Sequence, residues 1–302
     1  MGSKSPAAGE GVLPPSADTR MIETNGQTLH TVIAGPEDGP PVVLLHGFPE
    51  FWYGWRHQIP ALVDAGYRVI VPDQRGYNRS SKPQDISSYT IDSMVADTEG
   101  LIDALGYDRV SLIGHDWGAG VTWQTLLRAP ERVDRAGILN VPHPEVFEEY
   151  LSSKPGQLVN SWYMFTFQLP RIAEWAYSAG DWYGVRRVFL STANRADVFA
   201  EADIERYQRA WERQGAFTGM LNWYRAILRK DAPEPPTMTV DPSTLIIWGT
   251  QDPYLHRGMA RDSHEHCADG RVELLEDATH WVQHERAARV NELLLDHLDK
   301  AS

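Results

Sequence analysis

The sequence predicts an α/β architecture: a mostly parallel central sheet flanked by helices, with a helical insertion. Three observations predict it. Short apolar runs are bounded by turn residues, longer segments between them carry apolar residues every three or four positions, and roughly 90 residues show no strand pattern. Alternating strands and helices imply crossover connections and therefore parallel strand pairs. At 302 residues the chain is long enough to bury a large core.

The first half of the chain carries the clearest strand signals. Apolar runs predict buried strands at residues 42–46, 68–72, 110–114 and 136–140. Helical spacing is clearest at 91–105 and 121–127. Before these elements, polar–apolar alternation over 21–33, broken by Asn25-Gly26, predicts an antiparallel hairpin.

The pattern changes after residue 142. Residues 143–233 are helical in pattern, rich in aromatics and too long for a loop, so they predict a helical cap. A proline-rich run at 231–242 predicts a linker, strand signals resume at 244–248 and 271–275, and a last helix is predicted at 282–298. The expected organisation is a flexible tail at 1–18, a core formed by 19–142 and 234–302, and the cap at 143–233.

Composition excludes several classes of partner. The net charge of −13 opposes binding to nucleic acid, and no apolar run approaches the ~20 residues that a membrane span needs. The single cysteine, Cys267, permits no intrachain disulfide. The first residues lack the apolar stretch of a secretory signal, and Pro6 breaks the myristoylation pattern. We therefore expect a cytoplasmic protein, monomer or homodimer, without membrane insertion.

The most informative motif is Gly114-His115-Asp116-Trp117-Gly118, at a predicted strand-to-helix turn. This spacing is typical of a nucleophile elbow, whose central residue is usually Ser. A carboxylate that attacks an ester carbonyl forms a mixed anhydride, whereas attack on saturated carbon forms an alkyl ester that water can hydrolyse. Asp116 therefore indicates displacement at an sp³ carbon, in an epoxide or an alkyl halide. An Asp that only caps a helix is the alternative.

Three further sequence segments complete a predicted catalytic set. His46-Gly-Phe48-Pro follows a strand, and in this fold such a loop supplies one oxyanion-hole N–H, here from Phe48, with Trp117 supplying the other. The chain order nucleophile, acid, histidine then selects Asp252 and His280, each in a loop after a predicted strand.

Other polar residues are weaker candidates. Asp277 lies so close to His280 in sequence that a turn or cap role is more natural, and Asn140 occupies the position after the sixth strand where related enzymes sometimes carry the acid. His264, His266 and Cys267 resemble metal ligands, but no matching second cluster accompanies them. No metal and no cofactor are expected.

Over about residues 20–300 the chain resembles the α/β-hydrolase-fold epoxide hydrolases. The resemblance rests on His46-Gly-Phe-Pro-Glu50, the segments 73–80 (DQRGYNRS) and 161–165 (SWYMF), the Gly-His-Asp-Trp-Gly-Ala elbow, and the segment 221–225 (LNWYR). It implies that two cap tyrosines, Tyr163 and Tyr224, donate hydrogen bonds to the epoxide oxygen. A phenol suits this role because it can donate to the departing alkoxide while staying protonated at neutral pH.

Two other functions remain open at this point. A haloalkane dehalogenase shares the Asp nucleophile, but Phe48 cannot donate a side-chain hydrogen bond to halide; Trp117 and cap tryptophans can. Fluoroacetate dehalogenases carry an arginine where this chain has Trp117. A non-catalytic binding protein of the same fold is the third candidate, although such proteins usually have a broken triad. The expected substrate is a small to medium apolar epoxide, with water.

Overall fold

The computed structural model describes residues 13–160, 162–227 and 234–299, and one eight-stranded sheet runs through its centre. The strands are β1 (Asp18–Thr24), β2 (Gln27–Ala34), β3 (Pro41–Leu45), β4 (Arg68–Pro72), β5 (Val110–His115), β6 (Val133–Leu139), β7 (Ser243–Gly249) and β8 (Gly270–Leu275). Their order across the sheet is β1-β2-β4-β3-β5-β6-β7-β8.

The strand directions confirm the predicted fold class. β1 pairs antiparallel with β2 through the turn at Asn25-Gly26, where both residues have positive φ. β2 is antiparallel to β4, and every pair from β4 to β8 is parallel. The central strands are buried on both faces, which explains their continuous apolar sequences.

Helices cover the sheet and form the insertion. They are α1 (Gln58–Asp64), α2 (Ile91–Ala104), α3 (Trp117–Arg128), α4 (Pro144–Ser153), α5 (Pro155–Asn160), α6 (Trp162–Phe167), α7 (Ile172–Leu190), α8 (Glu201–Trp211), α9 (Ala216–Ala226), α10 (Gly258–His264), α11 (Val282–Glu285) and α12 (Ala287–Asp299). The backbone of α7 is not helical at residues 179–182, so α7 is two helical pieces joined at a kink.

The segment between β6 and β7 carries α4 to α9 and, in its described part, no strand of the sheet. This is the region predicted as a cap, whose exact residue limits stay a prediction. Of the predicted tail, residues 1–12 lie outside the described residues, and Asp18 is already the first residue of β1. Of the predicted linker, 231–233 lie outside them as well. None of the described helices is long and apolar enough to cross a membrane.

Hydrogen bonds from α8 and α9 tie the insertion to the core. The indole N–H groups of Trp211 and Trp223 donate to the carbonyls of Pro49 and Arg75, at 2.7 and 2.9 Å. All four residues lie close to the predicted oxyanion loop or to β4. The insertion is therefore anchored beside the carboxyl edge of the sheet.

The predicted helix at 282–298 is two helices in the structure. It breaks at Arg286, whose φ and ψ are −129° and 39°. Side chains at the break bind the preceding loop: the Glu285 carboxylate accepts from the N–H and hydroxyl of Thr279, and Arg286 Nε donates to Asp277 at 2.7 Å. The spacing of apolar residues does not predict this break, because the break depends on hydrogen bonds to polar residues of the preceding loop.

Candidate active site

The turn between β5 and α3 holds Asp116 in a backbone conformation that most residues avoid. Its φ is 50° and its ψ is −124°. Glycines make the turn possible: a Cβ on Gly114 would collide with the backbone of Gly118, and a Cβ on Gly118 would collide with the Leu45 carbonyl. The Asp116 carboxylate therefore lies at the carboxyl edge of the sheet and at the N-terminus of α3, where backbone N–H groups favour an anion.

The loop after β3 approaches this carboxylate closely. The Phe48 N–H donates to Asp116 Oδ1 at 2.7 Å. Gly47 must be glycine because a Cβ there would collide with the Asp116 side chain. Trp117 directly follows Asp116 as the first residue of α3, and the role of its N–H as a second oxyanion donor stays a prediction.

The loops after β7 and β8 bring Asp252 and His280 to the same place. His280 Nε2 lies 3.4 Å from Asp116 Oδ2, and His280 Nδ1 donates to Asp252 Oδ2 at 2.8 Å. His280 and Asp252 are buried. Asp277, the rival acid, instead pairs with Arg286 at the surface. The structure thus assembles the three residues that sequence order selects.

The charges of this group depend on one another. Burial lowers the pKa of His280, but the Asp252 and Asp116 carboxylates outweigh it and raise that pKa to about 10. Burial raises the pKa of Asp116, but the His280 contact and the Phe48 N–H outweigh it, so the pKa lies below its usual value. The resting site therefore holds an imidazolium between two carboxylates.

Tyr163 on α6 and Tyr224 on α9 face the site. Their ring centroids lie 6.0 Å apart, and the Tyr224 ring packs at 5.3 Å from Phe48 and 5.0 Å from Trp117. Burial, and after it the charge of Asp116, raises the pKa of both phenols well above the usual value. Both therefore remain hydrogen-bond donors at any pH at which the protein would work.

Comparisons with known proteins agree with this geometry. Residues 40–287 match the α/β hydrolase fold family. The chain is 44% identical to the AB hydrolase superfamily protein YfhM of Bacillus subtilis, over 92% of this chain and 97% of that protein. It is 35% identical to epoxide hydrolase A of Mycobacterium tuberculosis, over 92% of this chain and 96% of the relative. The chain belongs to the epoxide hydrolase family of the α/β-hydrolase fold.

Solved structures also support the assignment of this chain to the epoxide hydrolase family. An inhibitor-bound epoxide hydrolase from Bacillus megaterium matches with a TM-score of 0.86 and 32% identity, covering 93% of this chain and all of the other. Epoxide hydrolase A from Mycobacterium thermoresistibile matches with a TM-score of 0.81 and 33% identity, over 95% and 99% of the two chains. The likeness extends over the insertion as well as the core.

Two residues of the hydrolase site escaped assignment from the sequence. Asn140 Nδ2 donates to Asp252 Oδ2 at 2.7 Å, and Asn140 Oδ1 accepts from the Gly249 N–H at 3.0 Å. The Tyr254 ring lies 5.5 Å from Tyr163 and 5.4 Å from His280. The sequence signal for Asn140 is its place after β6, where related enzymes sometimes carry the acid. The signal for Tyr254 is its place two residues after Asp252.

The sequence analysis also does not identify a buried polar network behind His280. His115 Nε2 donates to the carbonyl of His280 at 2.8 Å, and Gln283 Nε2 donates to His115 Nδ1 at 3.0 Å. Glu50 accepts from Gln283 at 3.1 Å and from the Tyr207 hydroxyl at 2.6 Å. Burial raises the pKa of Glu50, but the imidazoles and donors around it outweigh this effect and hold the pKa well below its usual range.

The suspected metal ligands do not form one group. His264 bonds the Gly270 carbonyl, whereas His266 stacks on His143 with ring centroids 4.1 Å apart and planes 7° from parallel. Ligand atoms of His143, Glu145 and His266 lie within 4.8 Å of one another. Parallel stacked imidazoles direct their nitrogen lone pairs side by side, so these two rings cannot converge on one ion as they stand. The expectation of no metal stays a prediction.

Proposed function

We propose that this hydrolase converts an epoxide into a vicinal diol through an ester between Asp116 and one carbon of the epoxide. One observation carries the proposal: a carboxylate occupies the nucleophile position, with one oxygen on the Phe48 N–H and the other beside His280. A carboxylate in this position suits attack on saturated carbon. The phenols of Tyr163 and Tyr224 are the donors for the leaving oxygen.

In the first step Asp116 attacks a ring carbon while the carbon–oxygen bond of the epoxide breaks. Negative charge moves from the carboxylate to the epoxide oxygen, which accepts hydrogen bonds from Tyr163 and Tyr224 and then takes up the proton that the His280 imidazolium gives up. The Phe48 N–H holds the other Asp116 oxygen and so orients the attack. Removing one such preorganised donor typically costs about two to three orders of magnitude in rate.

In the second step His280 removes a proton from water, and the hydroxide attacks the carbonyl carbon of the ester. The tetrahedral intermediate then breaks its bond to the diol oxygen, which takes the proton of the former hydroxide, so that the diol leaves and the Asp116 carboxylate re-forms. The oxyanion that forms on the former Asp116 carboxylate is stabilised by the Phe48 and Trp117 N–H groups. Esterification itself prepares His280 for this step. It removes the Asp116 charge that raises the His280 pKa, so the imidazolium releases its proton more readily than in the resting enzyme.

The walls of the site favour an apolar substrate. Phe48, Phe167 and the rings of Tyr163, Tyr224 and Tyr254 contact one another in pairs at 4.8–6.0 Å. Such a lining binds hydrocarbon and leaves few polar groups to orient it. The scheme uses only side chains and backbone N–H groups of this chain, together with water.

A single-turnover experiment in oxygen-18 water tests the ester. With enzyme in excess over styrene oxide, hydrolysis at the ester carbonyl places the heavy oxygen in Asp116 and leaves the first diol unlabelled. Mass spectrometry of the peptide that contains Asp116, together with the diol, measures both products. Enzyme incubated with unlabelled diol in the same water is the control for exchange.

Label in the diol and none in Asp116 would contradict the ester, because water would then have attacked the epoxide directly. Turnover of 1,2-dibromoethane with release of bromide, without turnover of epoxides, would instead indicate a dehalogenase. The absence of both reactions would support a binding protein.

A further inference from the structure

Three basic side chains lie where the core loop after β4 meets the connection between α8 and α9. Arg79 and Lys82 belong to the core loop, and Arg213 belongs to the insertion. We call these three residues the basic cluster. Arg79 is exposed, whereas Lys82 and Arg213 are partly buried. Many arginines of this acidic chain bind a carboxylate, as Arg75 binds Asp97, but the basic cluster forms no ion pair with any described residue.

Contacts between the core loop and the insertion bring these side chains together. Arg213 Nε donates to Asn78 Oδ1 at 2.8 Å, and Asn78 immediately precedes Arg79. Lys82 packs beside Gly215, two residues after Arg213: a Cβ on Gly215 would lie 3.7 Å from the Cβ and Cδ atoms of Lys82. The Arg213 side chain therefore lies close to both basic residues of the core loop.

Most hydrogen-bond donors of the basic cluster are unused. Lys82 Nζ carries three N–H groups, of which one donates to the Ser80 carbonyl at 2.6 Å. Arg213 uses its Nε on Asn78, and its two terminal Nη groups have no acceptor in the part of the chain that the structure describes. The same holds for the whole Arg79 side chain. These donors are available to a ligand.

The cations of the cluster also repel one another. Burial, together with the Arg213 charge, lowers the pKa of Lys82 to about 8. Burial and the Arg79 charge hold the pKa of Arg213 below its ordinary value. The Asp73 carboxylate opposes both shifts but does not cancel them. An anion among the three side chains would relieve this repulsion.

Two carboxylates near the cluster have other partners. Asp73 is completely buried, and it accepts from His30 Nδ1 at 2.7 Å and from Asn78 Nδ2 at 2.8 Å. Glu212, at the end of α8, accepts from Gln208 Nε2 at 3.0 Å, one turn back along the helix. Neither carboxylate is therefore available to the basic cluster.

A phosphate group has the charge and the shape that these donors require. The guanidinium of Arg213 presents its terminal N–H groups side by side, which matches two phosphate oxygens, and Lys82 adds a compact charge. A tetrahedral dianion can accept from all three side chains, whereas a carboxylate has two oxygens and a single charge. The core loop is also held in place, because the Gly76 N–H donates to the Ser81 carbonyl at 2.8 Å.

We propose that the basic cluster binds a phosphate group, as inorganic phosphate or as a phosphate monoester, between the core loop and the insertion. The anion accepts from the Nη groups of Arg213, from Lys82 Nζ and from Arg79. This inference goes beyond the proposed function and is independent of it, because none of the three residues takes part in the chemical steps. Arg213 lies just before α9, which carries Tyr224, so the bound anion links that helix to the core.

Isothermal titration calorimetry of the full chain tests the site. Inorganic phosphate, titrated to about 50 mM at constant ionic strength, should bind with a dissociation constant of about 1 mM or less. Arg79→Gln and Arg213→Gln should each raise this constant about 10-fold or more, because each removes charge-assisted hydrogen bonds. Arg261→Gln is the matched control: it removes the same charge from an exposed position on α10 and should leave the constant unchanged.

Thermal unfolding gives a second measurement. Phosphate should raise the wild-type Tm by about 2–5 °C more than NaCl of equal ionic strength does. Arg79→Gln should reduce this difference and keep the wild-type Tm in NaCl, because the Arg79 side chain bonds to no described residue. This variant therefore remains informative if Arg213→Gln, which loses the bond to Asn78, folds poorly.

Glycerol 3-phosphate distinguishes the two forms of the ligand. Tighter binding than inorganic phosphate, weakened by Arg79→Gln, would support a monoester site, and equal binding would support a site for the phosphate group alone. A wild-type protein that binds neither compound would overturn the proposal. Binding that Arg79→Gln and Arg213→Gln leave intact, or that Arg261→Gln weakens equally, would overturn it as well.

Discussion

At the scale of single residues, the site depends on how firmly Asp252 is held. Its Oδ2 accepts from His280 and Asn140, and its Oδ1 accepts from the N–H groups of Tyr254 and Leu255. Four donors on two oxygens fix the buried carboxylate and satisfy its hydrogen-bonding capacity. His280 is oriented by this fixed acceptor on one side and by the His115 bond to its carbonyl on the other.

The pH dependence of the two chemical steps should differ. Alkylation needs ionised Asp116, whose pKa the His280 contact and the Phe48 N–H hold below the usual range of a carboxyl group, so this step keeps its rate as the pH falls from about 8 to about 5. Ester hydrolysis needs neutral His280, and the remaining Asp252 charge still favours the protonated form, so this step slows as the pH falls. We therefore expect more covalent ester at about pH 5 than at about pH 8 in rapidly quenched samples analysed by intact mass.

Recovery of full activity on return to the higher pH is the control for denaturation. An ester level that stays constant, or that rises with pH, would contradict the assignment of His280 as the base.

At the scale of elements, the strand-to-helix turn has no room for larger residues. Gly114 and Gly118 lie on either side of Asp116, and each meets backbone atoms at the position where a Cβ would be. Gly120, one turn into α3, has open space at that position. In α3, therefore, position 118 has no room for a side chain, whereas position 120 does.

Substituting these glycines should have opposite effects on the free energy of unfolding. Gly114→Ala should lower it by about 1–3 kcal/mol, because the turn must shift to admit a methyl group. Gly120→Ala should raise it by about 0.5–1 kcal/mol, because alanine favours the helix. Urea unfolding followed by circular dichroism measures both, and a stable Gly114→Ala protein with full activity would disprove the steric account of the turn.

At the scale of the whole molecule, the inserted helices complete a site that the sheet only begins. α9 brings Tyr224 to the loop that carries Phe48, and α8 brings Tyr207 to the buried Glu50 carboxylate. Both tyrosines belong to the insertion and contact the core, but their partners there differ. Tyr224 lies near the Asp116 carboxylate, and Tyr207 donates a hydrogen bond to the buried Glu50 carboxylate.

Removing each hydroxyl should therefore separate rate from stability. Tyr224→Phe should lower the single-turnover rate of epoxide opening by about one to two orders of magnitude with little change in stability. Tyr207→Phe should lower the free energy of unfolding by about 1–3 kcal/mol, because it leaves Glu50 short of a donor, with a smaller loss of rate. Stopped-flow kinetics and urea titration distinguish them; equal effects of both variants on the rate would contradict the assigned roles.

The amino-acid sequence alone determined the sheet, the elbow and the order of the site residues. Strand runs such as Arg68–Pro72 are read from local apolar patterns, and Asp116 is marked by the glycines that its turn requires. Asp252 and His280 follow from chain order, because parallel strands bring their carboxyl ends to one edge. These features depend on neighbouring residues or on the order of elements along the chain, so they can be predicted from the sequence.

The tertiary structure alone decided which side chains share a hydrogen bond or a surface across long stretches of chain. The partners Asn140 and Asp252 are 112 residues apart, and Tyr207 and Glu50 are 157 apart. The break at Arg286 and the exposure of large apolar side chains such as Trp175 also depend on what packs nearby. Periodicity specifies which residues share a face of a helix, but only the packed molecule determines whether that face meets the core, the substrate or solvent.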